Sequence, residues 1–154
     1  MASLVEARNA LAAQIQNYVQ PVIPTVLSDP MDQVPNVPAA MVFPGKPVAK
    51  YGITLGEAGV MGGRMMAATE FNLQVLVLVS QGSTIERVQT NLDSWLGFEN
   101  FPGNVSIPAA VALDPTLGMA VDYCEASIVS SYGPIEYNGT TYFGARIDFS
   151  LSCQ

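Results

Sequence analysis

Five carboxylates stand where acid–base chemistry would have to start: Glu70, Asp114, Asp122, Glu125 and Asp148. Such chemistry needs two groups converging on one bond with suitable pKa values. Asp122 and Glu125 are three apart on an expected strand, so they project to opposite faces and do not converge. Ser80, Ser83 and Ser106 are candidate nucleophiles, but the chain has no histidine to take their protons. A serine–lysine pair would have to recruit Lys46 or Lys50 from a loop. Cys124 on a strand has no evident cationic neighbour to hold a thiolate. The missing histidine also removes most zinc sites and a histidine pH switch. These residues read as caps, turns and wet faces. The expectation is a chain that is not an enzyme and has no cofactor, no catalytic residue and no metal site.

A second chemical candidate is the glycine cluster Gly56, Gly59, Gly62 and Gly63 within "KPVAKYGITLGEAGVMGGRMM". A phosphate-cradling loop would need a Gly-Lys-Ser/Thr ending and would open a helix. Neither is present, so the stretch is read as a hairpin arm over residues 46–66 that reaches toward a neighbour. Its apolar residues Tyr51, Ile53, Leu55, Val60 and Met61 are the candidate contacts.

Composition supports contacts of that kind. The 154 residues suit one domain with a real core. They are 49% hydrophobic and only 12% charged, against about a quarter charged in an ordinary soluble domain. The shortfall predicts surface buried against something else. Net charge is −7, and the six basic residues, Arg8, Lys46, Lys50, Arg64, Arg87 and Arg146, are scattered along the sequence. Gripping nucleic acid requires a basic patch, so DNA is expected at most as passing cargo. No apolar run approaches the about 20 residues that span a membrane. Glu6 stands where an export signal would carry positive charge, which predicts no signal and a cytoplasmic setting. Cys124 and Cys153 are too few for a disulfide framework.

The elements follow from period and punctuation. Ser3-Leu4-Val5-Glu6 is a capping box, and Leu4, Ala7, Leu11, Ile15, Tyr18 and Val19 then keep helical spacing. This predicts a helix over 4–19, ended by Pro21 and Pro24. Five prolines make residues 20–38 an extended loop. Residues 39–45 read as a short strand stopped by Pro44-Gly45. In "AATEFNLQVLVLVSQG" the even period is strict, and from Val75 onward both faces are apolar. That half-strand must be covered on both sides. Ser83-Thr84-Ile85-Glu86 caps a second helix that Gly97 closes.

"SIPAAVALDPTLGMAVDY" begins as a helix capped by Ser106. It stops at Asp114-Pro115, because the residue before proline is forced out of helical space. Ala109 and Ala110 are small enough to lie against a neighbouring backbone. The chain then turns at Thr116-Leu117-Gly118 into a strand over about 119–132, broken by Gly133-Pro134. Asn138-Gly139 is a hairpin turn, and the last strand points Phe143, Ala145, Ile147, Phe149 and Leu151 inward. An unbroken register sets Cys124 opposite Cys153; a shift near Gly133-Pro134 separates them. The predicted fold is α+β: a single, mostly antiparallel sheet of about four strands packed by two main helices, with a protruding β-hairpin arm.

These pieces together resemble the tail terminator, or tail completion, proteins of long-tailed bacteriophages. The likeness rests on "SIPAAVALDPTLGMAVDY", the Tyr132-Gly133 turn, the Asn-Gly hairpin and "YFGARIDFSLS", with the first helix, the proline loop and "FNLQVLVLVSQG" in the same order. The resemblance covers most of residues 1–154, read as one such domain. It implies a virion protein that forms a ring, commonly a homohexamer, on the head-proximal end of the tail tube. The ring stops tube polymerisation and offers a head–tail joining surface. The implied partners are copies of itself, the tail tube protein and neck or connector proteins. It would be found in the host cytoplasm during assembly and in the virion afterwards. An alternative is another neck protein, binding on the portal side. In a ring, Asp29, Asp32, Glu57, Asp114 and Asp122 are candidates to face the lumen, where like charge keeps DNA sliding.

Overall fold

The structure is a computed structural model that describes residues 4–19, 23, 25–28, 38–55, 64–81, 92–98, 105–137 and 139–152. For 46–47, 50–55, 64–69 and 80–81 the backbone path alone is described. The elements run α1 (Leu4–Tyr18), β1 (Thr25–Leu27), β2 (Ala39–Leu55), β3 (Arg64–Gln81), a helical segment at 92–96 (α2), α3 (Ile107–Leu113), β4 (Tyr123–Tyr137) and β5 (Thr140–Ser152).

This overturns the expected four-strand sheet under two main helices. Strands dominate the fold. The described residues form one mixed sheet of five strands in the order β1-β2-β3-β5-β4, with three short helical segments. Two misread passages account for the difference. Pro44-Gly45 was expected to stop a strand, yet β2 runs through it to Leu55, 17 residues in all. A shift in pairing between Pro44 and Ala49 lets the ladder with β3 continue beyond the prolines. The arm is therefore not a separate appendage: residues 49–55 pair with 64–71 as the continuation of the β2–β3 ladder. The proline loop hides the second surprise. Thr25, Val26 and Leu27 pair in parallel with Ala39, Ala40 and Met41, too short a strand to show a period. The glycine-rich residues 56–63 and the Ser83-Thr84-Ile85-Glu86 box lie outside the described residues.

β3 is central, held by β2 on one side and β5 on the other. Leu73, Val75, Val77 and Val79 point toward α1, with Phe143, Ala145, Ile147, Phe149 and Leu151 beside them, all buried. The helical face is completed by Ala7, Leu11 and Ile15 of α1, Leu92, Trp95 and Leu96 of α2, and Ile107, Ala110 and Val111 of α3. Tyr18, assigned to the helical stripe, is exposed instead. Leu76 and Leu78 point the other way and are also buried, in a smaller cluster with Met41 and Ile135. Both faces of this half of β3 are covered, as its unbroken apolar run requires.

Gly144 sits where β5 meets β3 most closely. A Cβ there would lie 2.0 Å from the Val77 carbonyl oxygen, so only glycine fits without moving a strand. The β4–β5 turn pairs Tyr137 with Thr140, and Gly139 takes φ 80° as the turn demands. β4 runs through Gly133-Pro134 without a break, a proline being tolerable on an outer strand. The register slips nearer the start of β4, between Ala126 and Ile128 and between Val129 and Ser131. Cys124 consequently faces Leu151, two residues short of position 153, and is buried.

Candidate assembly surface

The segment from Ser106 to Tyr123 is built from the backbone outward. The Ser106 Oγ accepts a hydrogen bond from the Ala109 N–H at 3.1 Å, and Pro108 sits in the first turn of α3. Ile107, Ala110 and Val111 are buried, and the Gln14 side-chain amide of α1 donates to the Ala110 carbonyl at 2.8 Å. Of the two alanines expected at an interface, Ala109 is exposed. Ala110 is fully buried in the chain's own core, so it is not offered to a neighbour.

At Asp114 the helix ends, with φ −144° and ψ 85°. Its carboxylate then organises the turn. Oδ1 accepts from the Thr116 N–H at 3.2 Å and from the Thr116 hydroxyl at 2.6 Å, while Oδ2 accepts from the Gly118 N–H at 2.8 Å. The Thr116 hydroxyl oxygen accepts from the Met119 N–H at 3.2 Å. These bonds hold the Asp114 carboxyl below its ordinary pKa, the Thr116 hydroxyl contributing most and the Gly118 N–H next; partial burial opposes them.

The turn is unusual in its dihedrals. Leu117 and Met119 have φ of 51° and 69°, on either side of Gly118. Non-glycine residues in this region need outside support. Leu117 and Val121 supply it by burial in the core, and the Asp122 N–H donates to the Ser152 carbonyl at 3.0 Å. The result is a fixed knob that displays Leu113 at 63% exposure, Met119 at 90% and Tyr123 at 50%.

β4 continues the display. Ile128 is 58% exposed on the sheet face away from the helices. Tyr132, on the helix side, donates its hydroxyl to Asp93 Oδ1 at 2.6 Å and packs near Phe98 and edge-on to Phe143. Phe98 itself is largely exposed.

Behind Ile128 lies a polar groove of about 290 Å³ on the open face, lined by Gly45, Glu70, Asn72, Gln74, Ser127 and Asp148 among others. The Ser150 hydroxyl donates to Glu70 Oε1 at 2.9 Å. Asp148 Oδ1 is buried with no hydrogen-bond partner among the described residues. Glu70 and Asp148 thus share a face, which sequence spacing did not reveal. The Ser150 hydroxyl meets Glu70, but a serine held by a carboxylate alone lacks the base–orienter relay of a nucleophilic site. No group of three or more His, Cys, Asp or Glu is placed to hold a metal among the described residues.

The remaining expected positions divide as follows. Tyr51, Ile53 and Leu55 lie on β2, paired with Ala68, Met66 and Arg64. Asp122 is exposed beside the start of β4, whereas the Asp114 carboxylate is engaged by its own turn. Val60, Met61, Asp29, Asp32 and Glu57 lie outside the described residues. Sequence reasoning missed Leu113, Met119, Tyr123, Ile128 and Tyr132. The available signal was "LGMAV", apolar residues in a turn that obey neither helical nor strand period.

A scan against protein-family models finds no match for this chain, and a search of curated proteins finds no significant match. No helix among the described residues is long and apolar enough to cross a membrane.

Proposed function

We propose that this chain is a structural subunit that assembles with copies of itself into a ring on the head-proximal end of a phage tail tube. There it ends tube growth and presents the surface to which the neck joins. The role depends on shape rather than turnover. The observation that carries the reading is the knob at residues 113–123: a turn braced by four side-chain hydrogen bonds and two left-handed residues that holds large apolar side chains in water. Such a display is unfavourable for a lone particle and useful in an assembly. The resemblance to tail terminators, carried chiefly by pieces between Ser106 and Ser152, points to the tube as the surface met, and the low charge content fits extended contacts.

The deciding experiment is electron microscopy of particles made without this protein. Tubes of runaway length are expected. Tails of normal length beside unjoined heads would move the protein to the portal side of the neck, and normal joined particles would end both readings. Within the ring reading, Asp122→Lys is expected to slow DNA ejection while assembly proceeds, since Asp122 is exposed and its backbone N–H, which the substitution keeps, holds the bond to the Ser152 carbonyl.

A further inference from the structure

The chain has seven methionines, and the side chains of Met41 and Met119 are described. The two are opposites. Met41 on β2 is fully buried in the smaller cluster with Leu76, Leu78 and Ile135. Met119 stands almost wholly in water. A thioether reacts with peroxides only as fast as they reach it. Met119 is open to them in the folded chain, whereas Met41 must wait for the sheet to open.

The backbone fixes that exposure. Met119 has φ 69°, and its N–H donates to the Thr116 hydroxyl oxygen at 3.2 Å. Asp114 closes the same turn by accepting from Thr116 and Gly118, and Leu117 anchors it in the core. A turn tied on its polar and its apolar side holds the Met119 side chain outside the core. An oxygen added to the sulfur meets solvent rather than packed atoms, so the fold does not resist it. Of the exposed side chains Leu113, Met119 and Tyr123, Met119 alone carries a sulfur, which two-electron oxidation turns from apolar to polar.

We infer that Met119 is a modification site, at which hydrogen peroxide turns the apolar knob polar without cost to the fold. A sulfur lone pair attacks one peroxide oxygen; the O–O bond breaks and an S–O bond forms. The transferred oxygen passes its proton to the departing hydroxide, which leaves as water. Sulfur is oxidised by two electrons to the sulfoxide, and the peroxide is reduced. A sulfoxide reductase reverses the change, with two thiols leaving as a disulfide and the oxygen as water. The consequence for assembly rests on the ring reading: the change falls on the knob that meets the tube, so oxidation of a free subunit weakens its docking, and a seated subunit shields the sulfur.

The test treats the full chain with hydrogen peroxide and follows each methionine by peptide mass spectrometry. Met119 is expected to oxidise at about the rate of a free methionine peptide, and Met41 at least about tenfold more slowly. Met119→Leu carries the other methionines through the same treatment, so the difference between the two chains isolates position 119. Oxidation at 119 should leave the thermal midpoint in circular dichroism unchanged and bring elution from a hydrophobic-interaction column forward, and reductase should restore the elution. Binding to tail tubes from particles made without this protein should fall about tenfold or more on oxidation of the unmodified chain and hold in Met119→Leu. The inference is overturned if Met119 oxidises no faster than Met41, if oxidation there lowers the midpoint, or if the two chains shift equally on the column. Tubes that hold oxidised and unoxidised chains alike overturn the consequence for assembly. Tubes that ignore even the unoxidised chain count against the ring reading instead, and the modification site is then decided by rate, midpoint and elution.

Discussion

β3 and the turn between α3 and β4 treat apolar side chains in opposite ways. From Val75 to Val79 every residue of β3 is buried, odd positions under the helices and even positions in the smaller cluster with Met41 and Ile135. In the turn, Leu113 and Met119 are exposed while Leu117 between them is the anchor. Exposing a methionine forgoes about 1.5–3 kcal/mol of burial. β3 gains its order from packing at long range. The turn gains its order from hydrogen bonds within six residues, Asp114 to Met119, and leaves Leu113 and Met119 exposed. A region held by packing has little freedom to change its residues; a region held by local bonds can vary what it displays.

Four substitutions break or sharpen that contrast. The largest effect is expected from Gly144→Ala, because the new methyl group would meet the Val77 carbonyl at 2.0 Å and force β5 from β3. A loss of about 4 kcal/mol or more is expected in urea unfolding. An unchanged midpoint would show that the centre of the sheet is looser than its register implies. Next is Gln14→Ala, which strips the donor from the buried Ala110 carbonyl. The expected loss is about 1–3 kcal/mol, and it would show that α3, the base of the knob, depends on α1.

Thr116→Val comes third. It removes the hydroxyl that donates to Asp114 and accepts from Met119. The Asp114 carboxyl should titrate closer to its ordinary value of 3.8 in NMR. The sign follows from the lowered pKa. The stabilisation is present above the ordinary carboxylate value and is lost as pH falls through the lowered folded value. The stability gap between Thr116→Val and the unmodified chain should therefore narrow on the acid side of 3.8. A gap constant with pH would mean the hydroxyl acts by packing alone. The smallest stability effect is expected from Met119→Ser, within about 0.5 kcal/mol, because the side chain is 90% exposed. On the proposed ring reading, assembly should nevertheless weaken. Loss of stability instead would show that the knob serves the fold and not a partner.

Much of this was legible because it is local. Ser106 caps α3, Asp114-Pro115 ends it, Gly97 closes α2 with φ 82°, and the chain reverses at Gly139 so that Tyr137 pairs with Thr140. Each depends on bonds a few residues long. The inward set of β5 was legible too, because alternation survives wherever one face is packed. Legibility failed where pairing overrides punctuation. Pro44, Gly45 and Pro134 read as stops, yet β2 crosses its two by a shift in pairing that resumes at Ala49, and β4 keeps its ladder through Pro134. β1 was invisible, since three residues flanked by prolines show no period. The candidate surface suffered most. Ala110 looked free to meet a neighbour and is core, while Met119 looked incidental and is the most exposed of the large apolar residues whose side chains are described.

The amino-acid order alone determined where helices cap and end, which faces of β3 and β5 are apolar, and that the chain is short of charge. Those are properties of neighbours in sequence, set by sterics, period and side-chain type. Only the tertiary structure decided that Cys124 faces Leu151 and that Asp148 and Glu70 share an open groove. Those depend on register, and two single-residue slips in β4 move every partner before them by two positions. A slip changes which distant residues meet while leaving each local preference satisfied, so no reading along the chain alone reports it.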